Sequence, residues 1–375
     1  MEKVAAVRCE SYNMHEVYAA VTEALQRLNF TIPSNTTILI KPNIMSQNVP
    51  EQHTVTHFSV LDALCRILRD NNCRIQIGES ISFYQTGLTR KAFRVSRIEE
   101  VSASYGAELI PFEEAQLVRV PTELEWLPAL HLPHVLLDAD IIINAGKLKT
   151  HSGMRLSGAI KNMFGCLPGG YKQRIHMWAE NDFALADVFL EIHRILQPEL
   201  SILDAVLSLD GGPSAIGRPV KTGRILAAPN AAALDVTACR IIGYSPADIA
   251  ALVQARSRGM FSDFEDVEVL GDIAPARFRH IDRSPLKHEK KKDSFLVTDT
   301  YVDLVIDHLF CTDCGICIKN CPVEAISPHI GCPRISQERC INCYNCLSVC
   351  PVKAVKIKPS PLNQLIRAVR KLTGL

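Results

Sequence analysis

A cysteine spacing written twice constrains this chain more than any other feature of its sequence. Cys311-x2-Cys314-x2-Cys317-x3-Cys321-Pro322 is followed by Cys340-x2-Cys343-x2-Cys346-x3-Cys350-Pro351. A tight loop carrying three thiolates can wrap three irons of a cubane, while the fourth cysteine, followed by proline, turns away and reaches the other cluster. The spacing therefore predicts a crossed arrangement in which Cys311, Cys314, Cys317 and Cys350 hold one [4Fe–4S] cluster and Cys340, Cys343, Cys346 and Cys321 hold a second. Both halves continue alike, as Pro322-Val323-Glu324-Ala325-Ile326 and Pro351-Val352-Lys353-Ala354-Val355, and this internal repeat points to a pseudo-symmetric module. A pair of zinc sites is the other reading of dense cysteines, but zinc knuckles do not use a doubled pattern of this kind.

Of 14 cysteines, nine lie between residues 311 and 350, and the other five (Cys9, Cys65, Cys73, Cys166, Cys239) are scattered. Dense, short-spaced cysteines without a secretory leader read as metal ligation rather than disulfides. Cys332 fits neither motif and reads as a free thiol in the turn between them. The two motifs resemble those of bacterial two-cluster ferredoxins and match them completely within residues 301–358. That resemblance implies a small α+β fold suited to stepwise one-electron transfer.

The preceding residues read differently. Lys3–Cys9, Thr36–Ile44, Arg74–Gly78, Asp140–Asn144, Leu200–Leu207 and Gly223–Ala228 are strand-like, and Phe58–Arg69, Ala184–Leu196 and Ala231–Ile242 have helical spacing. Strands alternating with helices of this length imply an α/β domain with a large, mostly parallel sheet. Residues 80–135 break the rhythm and read as an insertion. The organisation expected is an α/β domain over 1–282, a charged linker over 283–300, the two-cluster module over 301–358 and an amphipathic terminal helix over 359–375. A net charge of +1 gives no global case for nucleic acid. No apolar stretch reaches the ~18 residues of a spanning helix. The Met1-Glu2-Lys3-Val4-Ala5 start does not read as a signal peptide, so the expected location is the cytoplasm.

The 30 residues from Lys147 to His176 carry six Lys or Arg, two His, five Gly and no acid, although acids number 40 of 375 overall. A basic, glycine-bearing stretch after the Ile141-Ile142-Ile143-Asn144 strand suits an anion site, because open α/β sheets bind ligands beyond the carboxyl ends of their strands. It is not a phosphate-binding P-loop: Gly165-x4-Gly170 is followed by Tyr171 where lysine is required. No Gly-x-Gly-x-x-Gly supports a nicotinamide site either. Lys149, Lys161 and His176 are the candidate catalytic residues. Lys41, Asn43, His151, Asn162, Gly211 and Gly212 are candidates for holding the anion, which is a substrate or an additional cofactor. His151 and His176 also admit a metal-ligand reading. Gly78-Glu79-Ser80 adds an acid at a third strand end.

As a set, Lys41-Pro42-Asn43, Gly78-Glu79, Lys147-x-Lys149-x-His151, Ala159-Ile160-Lys161-Asn162-x2-Gly165, His176, Asp210-Gly211-Gly212-Pro213 and Ala233-Leu234-Asp235 resemble the family called domain of unknown function 362, over roughly residues 1–260. Members often carry a ferredoxin insert or tail, which implies an iron–sulfur protein of redox metabolism without supplying a reaction. The lysine and histidine stretch is also loosely similar to that of nickel-pincer lactate racemases. Three functions follow as expectations. The first is an iron–sulfur redox enzyme whose clusters relay electrons to a bound anion. The second is an electron-transfer or assembly protein that docks a ferredoxin- or flavodoxin-type partner. The third is an isomerase at a metal or organometallic cofactor.

Overall fold

The computed structural model describes residues 1–81, 88–151, 153–211, 217–279, 286 and 302–364. In chain order, the large region holds β1 (Glu2–Arg8), β2 (Thr37–Pro42), β3 (Arg74–Glu79), β4 (Glu108–Pro111), β5 (Leu117–Leu124), β6 (Leu127–Pro133), β7 (Ile141–His151), β8 (Arg155–Ser157), β9 (Leu200–Asp210), β10 (Arg218–Ala228) and β11 (Val267–Gly271). Among the described residues, nine of these form one sheet in the order β11-β1-β10-β9-β7-β2-β3-β4, with β8 paired to β7. The sheet is parallel at β1–β11, β9–β7, β7–β2, β2–β3 and β3–β4, and antiparallel only where β10 and β8 pair. β5 and β6 form a separate hairpin. The irregular stretch at 80–135 therefore contains a sheet-edge strand, that hairpin and two short helices.

Parallel strands buried on both faces need covering layers. One face packs α1 (Met14–Arg27), α2 (Phe58–Asp70), α3 (Leu88–Val95) and α4 (Ile98–Tyr105) against Ile38, Ile40, Ile75, Ile77, Ile141 and Ile143. The other face is covered by α6 (Ala159–Asn162), α7 (Tyr171–Trp178), α8 (Asp182–Leu196), α9 (Ala231–Ile242) and α10 (Ala250–Ser257), after the short α5 (Val135–Asp138). α8 and α9 start where side chains accept otherwise orphaned N–H groups. The Asn230 amide oxygen accepts from Ala232 and Ala233, and Asn181 accepts from Ala184.

The C-terminal region is a small ferredoxin-like unit: β12 (Val302–Ile306) pairs antiparallel with β15 (Val355–Pro359), and β13 (Ile326–Ser327) pairs with β14 (Arg334–Ile335). Its own core gathers Val302, Leu304, Ile326, Tyr344, Leu347 and Val355. Ile341 and Cys343 belong instead to the core of the large region, so the unit is packed against it. Apart from Leu286, the expected 283–300 linker lies outside the described residues. Of the expected terminal helix, residues 361–364 are helical and 365–375 lie outside them. No helix among the described residues is long and apolar enough to cross a membrane.

Candidate functional site

The candidate crevice is a buried cluster of lysines and amides gathered where parallel strands end. β2 last pairs with β7 at Pro42 and Ala145, yet β7 runs on to His151 and turns into β8. The sequence-based strand end at Asn144 was therefore too early. Residues 147–151 are strand, and their alternation places Lys147, Lys149 and His151 at every second position. Beyond the end of β2, Lys149 reaches the loop that leads into α2, whereas Lys147 reaches Asp204 on β9.

Two of the lysines have carboxylate partners. Lys41 Nζ donates to Glu79 Oε2 at 2.7 Å, with both side chains almost wholly buried, and also to the Pro42 carbonyl. Lys147 Nζ donates to Asp204 Oδ2 at 2.9 Å and to the Tyr12 hydroxyl at 2.6 Å, and that hydroxyl donates to Asp204 Oδ1. Tyr12 stacks on His57 with ring centroids 3.8 Å apart.

The remaining lysines of the site hydrogen-bond to no carboxylate among the described residues, although the charges of Glu79 and Glu113 are felt at Lys172. Lys149 Nζ donates to Asn43 Oδ1 and the Thr54 carbonyl, both at 2.8 Å. Lys172 Nζ donates to the carbonyls of Ser80 and Leu167. Lys161, half-buried on α6, has no hydrogen-bond or ion-pair partner among the described residues. Burial, reinforced by neighbouring lysines, pulls the Lys149 ammonium down to about 7. Burial likewise pulls Lys161 and Lys172 down to about 8. Charged lysines out of water without anions are costly, and a bound anion is what relieves that cost.

Asn43, Asn162 and Asn144 tie the wall together. Asn43 Nδ2 donates to Asn162 Oδ1 at 2.9 Å, and Asn162 Nδ2 donates to Asn144 Oδ1 at 2.7 Å. Burial, then the charges of Lys161, Lys149 and His176, hold the His151 imidazole well below its usual value, which also places His176 nearby. His151 Nδ1 accepts from the backbone N–H groups of Gly153 and Met154. The neutral ring then carries its proton on Nε2, so it presents a donor, not the lone pair a metal would require. His176 meets Phe164 edge-on at 5.4 Å.

The glycines serve other ends than the sequence reading gave them. A Cβ at Gly165 would lie 2.5 Å from Lys41 Nζ and Glu79 Oε1, and one at Gly158 would strike the Asp235 carboxylate. Asp235, buried and pushed up to about 7 by that burial, accepts from the Ala159 and Ile160 N–H groups. Gly211 N–H donates to Thr150 Oγ1, within the protein; Gly212 lies outside the described residues. Gly169 and Gly170 face the small unit: their Cβ atoms would lie 2.6 and 2.7 Å from Tyr344, and Gly170 N–H donates to the Asn342 carbonyl. The same turn reaches the crevice, because Gly169 N–H donates to Ser80 Oγ.

In the small unit, Cys311, Cys314, Cys317 and Cys350 line one apolar cavity, and Cys321, Cys340, Cys343 and Cys346 line another. These are the two sets the crossed spacing predicts. Among the described residues no group of three or more His, Cys, Asp or Glu side chains converges as around a single metal ion. Thiols spread round a void fit a multi-atom cluster better than tetrahedral zinc. The second set is the inner one: Asn345 Nδ2 donates to the Ala115 carbonyl, and Ser348 Oγ donates to that of Glu113.

The sequence reading missed Tyr12, Thr54, His57 and Asp204 because each reaches the crevice from a loop or strand distant in sequence. Lys172 and Ser80 belong to the basic stretch and to the Gly78-Glu79-Ser80 strand end, but nothing local in the sequence showed that they meet.

A family model described as Domain of unknown function (DUF362) matches residues 38–240, and one for a 4Fe-4S dicluster domain matches residues 303–354. The curated thylakoid-associated protein sll1697 of Synechocystis sp. is 27% identical over 266 residues, covering 69% of this chain and 80% of its own. The lactate racemase apoprotein of Thermoanaerobacterium thermosaccharolyticum aligns with a TM-score of 0.38 at 12% identity, over 64% of this chain and 56% of its own.

Proposed function

We propose that this chain, which belongs to the domain-of-unknown-function family DUF362, is an iron–sulfur redox enzyme that exchanges electrons with a small anion held in the lysine crevice. Cys311, Cys314, Cys317 and Cys350 would hold one [4Fe–4S] cluster, and Cys321, Cys340, Cys343 and Cys346 the other. When bound, the clusters supply one-electron steps between a redox partner and the crevice.

The chain's own residues do the rest. Lys149, Lys161 and the Nε2–H of His151 bind the anion, and Asn43 and Asn162 fix the position of Lys149. Lys161 and His176 are placed to hold or deliver a proton, and a lysine near neutrality suits that task. Lys41 and Lys147, already neutralised by Glu79 and Asp204, shape the wall. The observation that carries this reading is the Gly169–Gly170 turn, which touches Tyr344 on one side and Ser80 at the crevice on the other.

The redox partner is proposed to dock at the outer set, where Cys314 is exposed beside Leu309, Phe310 and Val352 and the exposed Lys319, Lys353 and Lys356 favour an acidic carrier of ferredoxin or flavodoxin type. We keep the cytoplasmic placement as part of this reading. The thylakoid association in the name of the Synechocystis relative is compatible with it, because partners can hold a chain at a membrane face.

The test is anaerobic reoxidation of the reduced protein by a panel of small carboxylate and phosphate-bearing acceptors. One class should accelerate it, and Lys161→Ala should remove at least about tenfold of that acceleration at unchanged iron content, roughly the worth of a charge-assisted hydrogen bond. Acceleration indifferent to Lys161 would sink the reading.

A further inference from the structure

α7 belongs to the large region, yet its side chains serve two masters. Lys172 turns to the Ser80 and Leu167 carbonyls at the crevice, and Tyr171 is buried in the core that contains Cys343. Arg174, half-buried on the same helix, turns to the small unit, where its Nη2 donates to the Gln337 carbonyl at 3.2 Å. Gln337 is itself anchored, its Nε2 donating to the Leu304 carbonyl at 2.7 Å. Three residues further on stands Cys340, which lines the inner cavity.

Arg174 Nε is buried and has no hydrogen-bond partner among the described residues. A buried guanidinium N–H without an acceptor is expensive, and such an atom in a native structure marks a missing partner. Four residues earlier on the chain, Gly170 N–H donates to the Asn342 carbonyl, so α7 meets the inner loop on both sides of Cys340, at Gln337 and at Asn342. Sulfur atoms held by the inner cysteines are weak but real acceptors, and hydrogen bonds and charge near a cluster are what set its potential.

We propose that Arg174 is a positioning and tuning residue for the inner [4Fe–4S] cluster, raising that cluster's reduction potential relative to the outer one through its charge and its free Nε–H. Reduction adds one electron and so one negative charge to the cluster, and a cation fixed beside it stabilises the reduced form. Burial alone works in the opposite direction, because a low-dielectric surrounding disfavours added charge. The helix that carries Lys172 and His176 toward the crevice thus also holds the electron where the crevice can use it. The inference rests on the reading that Cys321, Cys340, Cys343 and Cys346 hold a cluster.

The experiment is anaerobic potentiometric titration followed by electron paramagnetic resonance, on the full chain with its iron content measured. The inner signal is the one that survives Cys314→Ser. Arg174→Gln should lower the inner potential by about tenfold in the reduction equilibrium, about 59 mV for one electron, and leave the outer signal in place. Arg174→Lys, which keeps the charge and loses the planar fork, should restore part of that shift. An inner potential that does not move, or equal shifts in both signals, overturns the proposal. Should Arg174→Gln fail to assemble the inner cluster, Arg174→Lys decides, and a potential identical to the native one overturns it. Iron that never reaches the content of two clusters in the native chain refutes the underlying reading instead.

Discussion

The two cysteine loops share one spacing and live in opposite surroundings. In the outer set Cys314 is exposed and Cys311, Cys317 and Cys350 are half-buried, with Leu309 and Phe310 exposed by 78% and 59% beside them. In the inner set Cys340, Cys343 and Cys346 are buried and Cys321 is half-buried. Nothing within either motif distinguishes them. The difference comes from Gly169, Gly170, Ala115 and Glu113, which lie some 170 or more residues earlier and close over the second loop alone. Local spacing sets how thiols are gathered; long-range packing sets which of them meets solvent and which meets the crevice.

The harshest way to break that contrast is Gly169→Val. Gly169 has φ +53, and its Cβ would sit 2.6 Å from the Tyr344 ring and 2.9 Å from the Cys343 carbonyl. A left-handed backbone for a β-branched residue and an overpacked contact together cost about 2–5 kcal/mol. The small unit should then separate from the large one. In the native protein, iron release to a chelator should run in two phases, the exposed set first. In Gly169→Val it should collapse toward a single fast phase, and two well-separated phases would show that the inner set owes its protection to something else.

That contrast also explains what could be read in advance. The cysteine sets were legible because cluster ligation is a local geometric demand, satisfied by x2-x2-x3 spacing whatever surrounds it. The α/β sheet was legible because Ile38–Ile40 and Ile141–Ile143 are apolar runs buried on both faces, and Leu200–Leu203 is one broken only by the buried Ser201. The gathering of lysines was legible as a concentration of charge in Lys147–His176, but not in its pairing. Lys41 and Lys149 look equivalent in sequence, yet one meets Glu79 from β3 and the other only Asn43 and Thr54. Glycine was the misleading signal. Gly158, Gly165 and Gly169 admit protein groups rather than a ligand, and period-2 alternation through Lys147, Lys149 and His151 was the better guide.

A milder intervention leaves the packing alone and removes what distinguishes the outer surface. Leu309→Ser with Phe310→Ser, at two well-exposed positions, should change stability by no more than about 0.5 kcal/mol. Electron entry from an acidic carrier protein, followed by stopped-flow absorbance, should slow by about tenfold, as expected for loss of a small apolar anchor. Raising ionic strength should slow the native protein too, since the exposed lysine rim is screened within a Debye length of about 8–10 Å. Native-like rates in the double variant would mean that carriers approach elsewhere, and the exposed cysteine set would lose its assigned role.

The gentlest probe asks whether the inner side carries an anion-responsive charge that the outer side lacks. Lys149 is held near 7 and Lys161 and Lys172 near 8 by burial, so around pH 7.5 they are partly deprotonated in the free protein. A bound anion favours the charged ammonium and raises those values, so binding must take up protons, and affinity must fall as pH rises through that range. Calorimetric titration of inorganic sulfate, an anion that does not itself titrate between pH 7 and 8, in buffers of different ionisation heat, should report uptake of a fraction of a proton. Affinity should drop by less than about tenfold from pH 7 to 8, under about 1.4 kcal/mol. Lys161→Met should diminish both effects. Lys353→Met, at an exposed and well-hydrated lysine beside the outer set, should alter neither. Proton release on binding, or uptake that survives Lys161→Met but not Lys353→Met, would move the anion from the crevice to the outer surface and reverse the polarity assigned to the two cysteine sets.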